Sequence, residues 1–176
     1  MSLPERVDKA IRTIPDFPEK GVMFKDITPI LENAILSSDI VDELVSQCSD
    51  IKVDAIAGVE SRGFLFGFSM AMKLGVPFVL IRKKGKLPAE TISYKYDLEY
   101  GSAEIEMHVD SIETGMHVLI HDDLLATGGT AVAAAELIEK SGGKVSGFSF
   151  IVELEFLKGK EVLNKYSEYN KSIVNY

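Results

Sequence analysis

The chain has little of several things, and each shortage closes a route. A single cysteine, Cys48, rules out an intrachain disulfide. It sits in IVDELVSQC at helical spacing from Leu44 and Val45, the setting of an inert core thiol rather than a nucleophile. Only three histidines occur, none in an H-E-x-x-H pattern, and His117 and His121 fall on an expected strand, so a zinc hydrolase is disfavoured. Basic residues are scarce: 19 Lys and Arg against 27 Asp and Glu leave a net charge of −8. Such a surface repels nucleic acid and anionic membranes, so neither is expected as a partner. Long uncharged apolar runs are missing, and MSLPERVDKA carries acids without a hydrophobic segment. Neither a membrane span nor a signal peptide is expected, and the location expected is cytoplasmic. No two of the 14 glycines stand two apart, which excludes the G-x-G-x-x-G dinucleotide fingerprint. Gly129 is followed by Thr130 rather than lysine, which excludes a P-loop.

What is present points to one α/β domain spanning 1–176, with 46% hydrophobic residues to build its core and no repeat or interdomain linker. A short amphipathic helix places Leu3, Val7, Ile11 and Ile14 on one face. In IPDFPEKGVMFKDITPIL the prolines and Gly21 break any regular pattern. A second helix is expected from about Asp39 to Cys48. VDAIAGV reads as a buried strand, GFLFGFSMAMKLG as a helix closed by Gly75, and VPFVLIRK as a strand. GKLPAETISYKYDLEYGS reads as a long polar loop, and loops of that length in compact domains are commonly lids. AEIEMHV alternates, with Ile105, Met107 and Val109 on one face and Glu104, Glu106 and His108 on the other. VLIHDD, the helix after TGGT, and VSGFSFIVEL complete a mainly parallel sheet covered on both sides, with an antiparallel arm.

The most informative stretch is HVLIHDDLLATGGT. An apolar strand ends in two acids, a small-residue loop follows, and AVAAAELIEK continues as a helix. Glycines let several N–H groups converge, and the helix N-terminus adds positive potential, which suits a phosphate. Asp122 and Asp123 would repel a polyphosphate unless they faced hydroxyl donors or a cation, as a sugar diol would provide. The plainer reading is a tight turn beside a solvated strand end. The densest basic run, Arg82, Lys83, Lys84 and Lys86 in IRKKGKLP, directly follows a strand. Open α/β sheets bind ligands at that end of their strands, although such runs also occur as solvated faces.

VLIHDDLLATGGT resembles the phosphoribosyl pyrophosphate loop of the type I phosphoribosyltransferases. Together with IPDFPEKGVMFKDITPIL, GVESRGFLFG, VLIRKKGKLP and YDLEYGSAE, in that order from Ile11 to Lys160, it resembles the adenine-using members of that family. The resemblance implies the type I fold with a flexible lid loop and a small N-terminal hood. It implies transfer of the 5-phosphoribosyl group to adenine, giving AMP and diphosphate in purine salvage, with Mg2+ and a homodimer. Ala126, Thr127, Gly128, Gly129 and Thr130 would cradle the 5′-phosphate. Asp122 and Asp123 would hold the ribose hydroxyls and the magnesium environment, largely through substrate and water. Ser61 and Arg62 would hold the pyrophosphate through a strained peptide between Glu60 and Ser61. Arg82, Lys83 and Lys86 would add pyrophosphate contacts, some of them across the dimer interface. Met23 and Lys25 would read the adenine edge through main-chain groups, while Phe24 and Leu154 sandwich the ring. Glu99 would polarise or deprotonate the base, and Tyr100 would pack over the reacting centre. One departure is His121, where the family usually has an aliphatic residue; an orientation toward the sheet exterior is expected for it, with no role. Related enzymes taking hypoxanthine, guanine, orotate or uracil are the nearest alternatives. A noncatalytic regulator that binds phosphoribosyl pyrophosphate is disfavoured by acidity and the lack of a helix-turn-helix segment.

Overall fold

The computed structural model of the chain describes residues 1–97 and 101–176. The first helix, α1 (Leu3–Ala10), begins in a capping box: the Ser2 hydroxyl accepts from Glu5 N–H, and the Glu5 carboxylate accepts from Ser2 N–H. Val7 and Ile11 face the core as expected, but Ile14 lies past the helix on β1 (Arg12–Pro15). β1 pairs antiparallel with β2 (Met23–Asp26), so the segment expected to be irregular is a two-stranded ribbon. Pro15 occupies the last position of its strand, where a missing N–H is tolerated, and Asp16 Oδ1 accepts Gly21 N–H to close the intervening loop.

After α2 (Thr28–Leu31), α3 (Ala34–Gln47) starts earlier than the apolar periodicity suggested, because Asn33 Oδ1 caps it through Leu36 N–H at 3.0 Å. β3 (Ala55–Val59), α4 (Gly63–Leu74), β4 (Phe78–Lys83), β5 (Thr91–Asp97), β6 (Ser102–His108), β7 (His117–Leu125), α5 (Gly129–Lys140), β8 (Lys144–Glu153), α6 (Gly159–Leu163) and β9 (Asn170–Asn175) follow. Among the described residues the main sheet has the order β5-β6-β4-β3-β7-β8-β9. β3, β4, β7, β8 and β9 run parallel, while β6 is antiparallel to β4 and β5.

Both faces are covered, as expected. Ala55, Ala57, Val118 and Ile120 point into a cluster with the alanine-rich face of α5. Ile56 and Leu119, one step along the same strands, point into a second cluster with α1, α3 and α4. Cys48 belongs to this second cluster; burial raises its thiol to about 11, consistent with an inert sulfur.

The long polar loop contains β5, whose Ile92, Tyr94 and Tyr96 alternate onto one face and pack against the first cluster. In β6, Ile105 and Met107 are buried and Glu106 is only 3% exposed, whereas Val109 lies past the strand and is exposed. The closing strand β9 lay in YNKSIVNY, a segment too polar to announce itself.

Candidate active site

Parallel strands deliver their C-terminal ends to one edge, and the expected site segments leave the sheet there: 60–62 after β3, the basic turn after β4, the glycine loop after β7 and Leu154 after β8. β7 pairs with β3 only as far as His121, yet continues against β8 to Leu125. From Asp122 onward its β3 side is therefore free, and a cleft opens between the two strand ends. Loop 60–62 then turns back into α4 at Gly63. A Cβ on Gly63 would lie 2.7 Å from the His121 carbonyl oxygen and 3.1 Å from Asp122 Cα, so only glycine permits this approach. The Glu60–Ser61 peptide is cis.

The cleft, about 260 Å³, is lined by Glu60, Ser61, Arg62, Lys83, Asp122 and Asp123. Arg62 Nε lies 2.6 Å from Asp123 Oδ2. The N–H is not directed along that line, and Asp123 Oδ2 is left buried without a hydrogen-bond partner. Asp122 Oδ1 accepts Asp123 N–H at 2.8 Å. Burial, and then the neighbouring Asp123 charge, push the Asp122 carboxyl well above the usual carboxylate range. Two adjacent acids, one reluctant to ionise and one whose Oδ2 is ion-paired with Arg62 but accepts no hydrogen bond, suit a ligand that brings hydroxyl donors. Glu60 behaves differently. Burial pushes its carboxyl up, but the Lys83 N–H at 2.9 Å and the Arg82 guanidinium at 3.2 Å outweigh it and hold the group below its usual range.

A second cleft, about 520 Å³, is lined by Asp122 and by Ala126–Thr130, so the two meet at Asp122. Gly128, with φ 86°, turns the chain into the N-terminus of α5. The loop is braced from below: a Cβ on Gly159 would fall 2.2 Å from the Ala126 carbonyl oxygen. It is braced from the side by Tyr96, whose hydroxyl is 3.2 Å from Thr130 Oγ1. The twelve-residue helix aims its positive end into this loop, as an anion site requires.

The ribbon forms a hood beside these clefts. Phe24 stacks edge-on to Phe17 at 5.1 Å, and the Arg62 guanidinium lies 5.4 Å from the Phe24 ring centroid. Met23 is half exposed; Lys25 Nζ donates to Thr13 Oγ1 at 3.0 Å and sits over the Tyr176 ring. Leu154 is partly buried at the end of β8, its N–H held by the Leu125 carbonyl.

Arg82 and Lys86 do not line the clefts of their own chain. Arg82 is bound to Glu60 and, through Nη1, to the Lys86 carbonyl at 3.1 Å. Glu99 and Tyr100 lie outside the described residues. His121 is fully buried rather than exterior, its Nδ1 3.4 Å from Ser149 Oγ. Tyr96 falls within the expected lid loop, but its place on β5 against Thr130 was not read from the sequence, and Glu106 and Gly159 were given no role there. The alternation of Ile92, Tyr94 and Tyr96 was the available signal for the first; no local pattern flags the other two.

The family described as a phosphoribosyl transferase domain matches residues 27–169. An adenine phosphoribosyltransferase of Cytophaga hutchinsonii is 50% identical over 174 residues, covering 99% of this chain and 96% of its own. The crystal structure of adenine phosphoribosyltransferase from Thermoanaerobacter pseudethanolicus superposes with a TM-score of 0.95 at 48% identity, covering 98% of this chain and 99% of that one. The Saccharomyces cerevisiae enzyme, crystallised with an imino-altritol bisphosphate and adenine, superposes with a TM-score of 0.90 at 39% identity, over 98% of both chains. With a glycine loop, paired acids and a basic turn on one sheet edge and this likeness over nearly its whole length, the chain belongs to the phosphoribosyl transferase family, among its adenine phosphoribosyltransferases.

Proposed function

We propose that the protein transfers the 5-phosphoribosyl group of phosphoribosyl pyrophosphate to adenine, forming AMP and diphosphate in purine salvage in the cytoplasm. The observation that carries this reading is the pair of clefts meeting at Asp122, with a helix N-terminus at one end and Arg62 and Lys83 at the other. That order matches a substrate with a 5′-phosphate, a ribose diol and a pyrophosphate. In the reaction the adenine N9–C1′ bond forms as the C1′–oxygen bond to pyrophosphate breaks, through an oxocarbenium-like transition state with inversion. Arg62 and Lys83 stabilise the charge that develops on the departing pyrophosphate. Asp122 and Asp123 accept from the ribose hydroxyls. Phe24 and Leu154 flank the adenine ring, and the main chain at Met23 and Lys25 reads its edge. Glu99 receives or polarises the purine proton, and Tyr100 covers the reacting centre.

A divalent cation, Mg2+, fits the donor set in one way only. Among the described residues no group of three His, Cys, Asp or Glu side chains could cage a metal. Asp123, whose Oδ2 accepts no hydrogen bond, and its neighbour Asp122 can instead hold one through substrate oxygens and water. When bound, the cation supplies charge neutralisation for the pyrophosphate.

The same reading includes a homodimer. Leu65, Phe68 and Leu80, with Phe64 and Phe78, form an apolar depression of about 670 Å³ on the outer face of α4 and β4, and Met72 continues it at 68% exposure. Arg82 shares β4 with Leu80, and because neither it nor Lys86 lines the two clefts of its own chain, both are assigned to the pyrophosphate of a partner docked on this face. Phe68→Glu should yield a monomer by light scattering, and an unchanged dimer would remove this face from the assembly.

Incubation with adenine, phosphoribosyl pyrophosphate and Mg2+ should yield AMP and diphosphate. Adenine should be preferred over hypoxanthine by at least about a hundredfold in kcat/KM, because main-chain groups facing the wrong exocyclic atom are left unpaired. Comparable values for the two bases would overturn the assignment.

A further inference from the structure

We infer that Glu106 is a positioning residue for pyrophosphate binding: its buried carboxylate fixes the turn that presents Lys86. The inference rests on the reading of Lys86 as a pyrophosphate ligand. Glu106 lies on β6 between the core residues Ile105 and Met107, so its side chain leaves the sheet on the opposite face, where alternation predicts exposure. It is nevertheless 3% exposed, because the turn after β4 folds over it. One oxygen, Oε1, accepts both Lys86 N–H at 3.0 Å and Leu87 N–H at 3.1 Å; the other, Oε2, accepts the Thr91 hydroxyl at 3.2 Å. The Lys86 carbonyl is held in turn by Arg82 Nη1 at 3.1 Å, and Arg82 Nε binds Glu60, which precedes Ser61 and Arg62. Both main-chain groups of Lys86 are therefore held by side chains reaching from the paired strands β4 and β6, where Arg82 and Glu106 stand opposite each other, and one continuous network joins its turn to the loop that lines the cleft.

Burying a carboxylate is unfavourable unless donors satisfy it, and here all three donors come from the turn or its far end. A turn held only by its own backbone would leave Lys86 free to swing. Held by Glu106, it keeps the residue in register with Glu60 and Arg82, which lowers the ordering entropy lost when an anion binds. Glu106 acts through the turn and not through contact with substrate.

Two substitutions separate reach from charge. Glu106→Gln keeps the length and one acceptor oxygen for the two N–H groups, whereas Glu106→Asp keeps the carboxylate but is one methylene too short. Positioning predicts that Glu106→Asp raises the KM for phosphoribosyl pyrophosphate about tenfold or more, while kcat and the KM for adenine stay within about threefold and Glu106→Gln stays close to the native enzyme. Greater damage in Glu106→Gln than in Glu106→Asp would overturn the inference, since charge would then be what matters. Lys86→Ala should raise the same KM, and the double variant Glu106→Asp/Lys86→Ala should be no worse than Lys86→Ala alone; multiplicative losses would also overturn it. An unchanged KM in Lys86→Ala sinks the reading of Lys86 itself, whereas an impaired Lys86→Ala beside an unimpaired Glu106→Asp sinks only the role of Glu106. Should Glu106→Asp fail to fold, hydrogen exchange in the native protein decides: the Lys86 and Leu87 amides should be protected like those of β6, and rapid exchange there would refute the anchoring.

Discussion

Arg62 Nε lies 2.6 Å from Asp123 Oδ2, and the same guanidinium stacks over Phe24. One side chain thus joins three parts of the site: the loop after β3, the acid pair on β7 and the hood. Pyrophosphate would draw the guanidinium away from Asp123 and leave that carboxylate to the ribose, so occupancy of the two subsites should be linked through this arginine.

Arg62→Lys tests that link. Lysine keeps the charge but loses the planar fork and the face that lies over Phe24. The KM for phosphoribosyl pyrophosphate should rise about tenfold or more, the loss of roughly 1.4 kcal/mol that one good charge-assisted contact represents. Steady-state kinetics with native-like values would show that a point charge suffices.

Asp122 should exchange stability for function. Its carboxyl is raised above the ordinary 3.8 by burial and by Asp123. Below 3.8 the acid is protonated in folded and unfolded chains alike. As pH rises through the folded value, the unfolded chain ionises freely while the native site resists, so stability is lost. Asp122→Asn removes that penalty and keeps an acceptor for Asp123 N–H. Without substrate, it should melt a few degrees higher than the native protein near pH 7, at about 2–4 °C per kcal/mol for a chain of this size. The advantage should shrink toward about pH 4. The KM for phosphoribosyl pyrophosphate should rise sharply or turnover be lost. A lower melting temperature near neutrality would refute the penalty.

His121 carries the opposite dependence. Burial lowers its imidazole from 6.5 to about 4, and Nε2 has no partner. Above 6.5 the ring is neutral in both states; below it the unfolded chain takes a proton that the native core refuses, so stability falls until about pH 4. The full effect is about 3 kcal/mol, at 1.36 kcal/mol per unit. His121→Leu should flatten this loss in denaturant unfolding between about pH 7 and 4.5. An equally steep loss in the variant would place the acid sensitivity elsewhere.

Gly159 should matter to the loop at Ala126–Thr130, distant in sequence but packed against it. Its missing Cβ leaves room for the Ala126 carbonyl, and Gly128 in turn lies against Gly159 and Val162. Gly159→Ala overpacks this contact, a cost of about 1–3 kcal/mol. It should lower Tm and raise the KM for phosphoribosyl pyrophosphate several-fold without changing that for adenine. Unchanged values would mean that the loop yields without cost.

The sequence by itself determined the layered α/β class, the glycine loop between β7 and α5, the paired acids before it and the family. These are readable because each is written in neighbouring residues: an apolar run, an acid pair, a left-handed glycine and a helix start lie within HVLIHDDLLATGGT. Tertiary structure decided what those residues face. Glu106 reads as an exposed position of an alternating strand and is buried by a turn some twenty residues earlier. His121 is enclosed because Ser149 on β8 and Gly67 on α4 close around it. Lys25, read only as a main-chain recognition point, has its side chain over Tyr176 from the far end of the chain. Arg62 meets Asp123 because β3 and β7 are adjacent and parallel, so the loop after β3 emerges beside the end of β7. Local patterns carry backbone conformation; burial and charge partners depend on contacts distant in sequence, which no window of the chain contains.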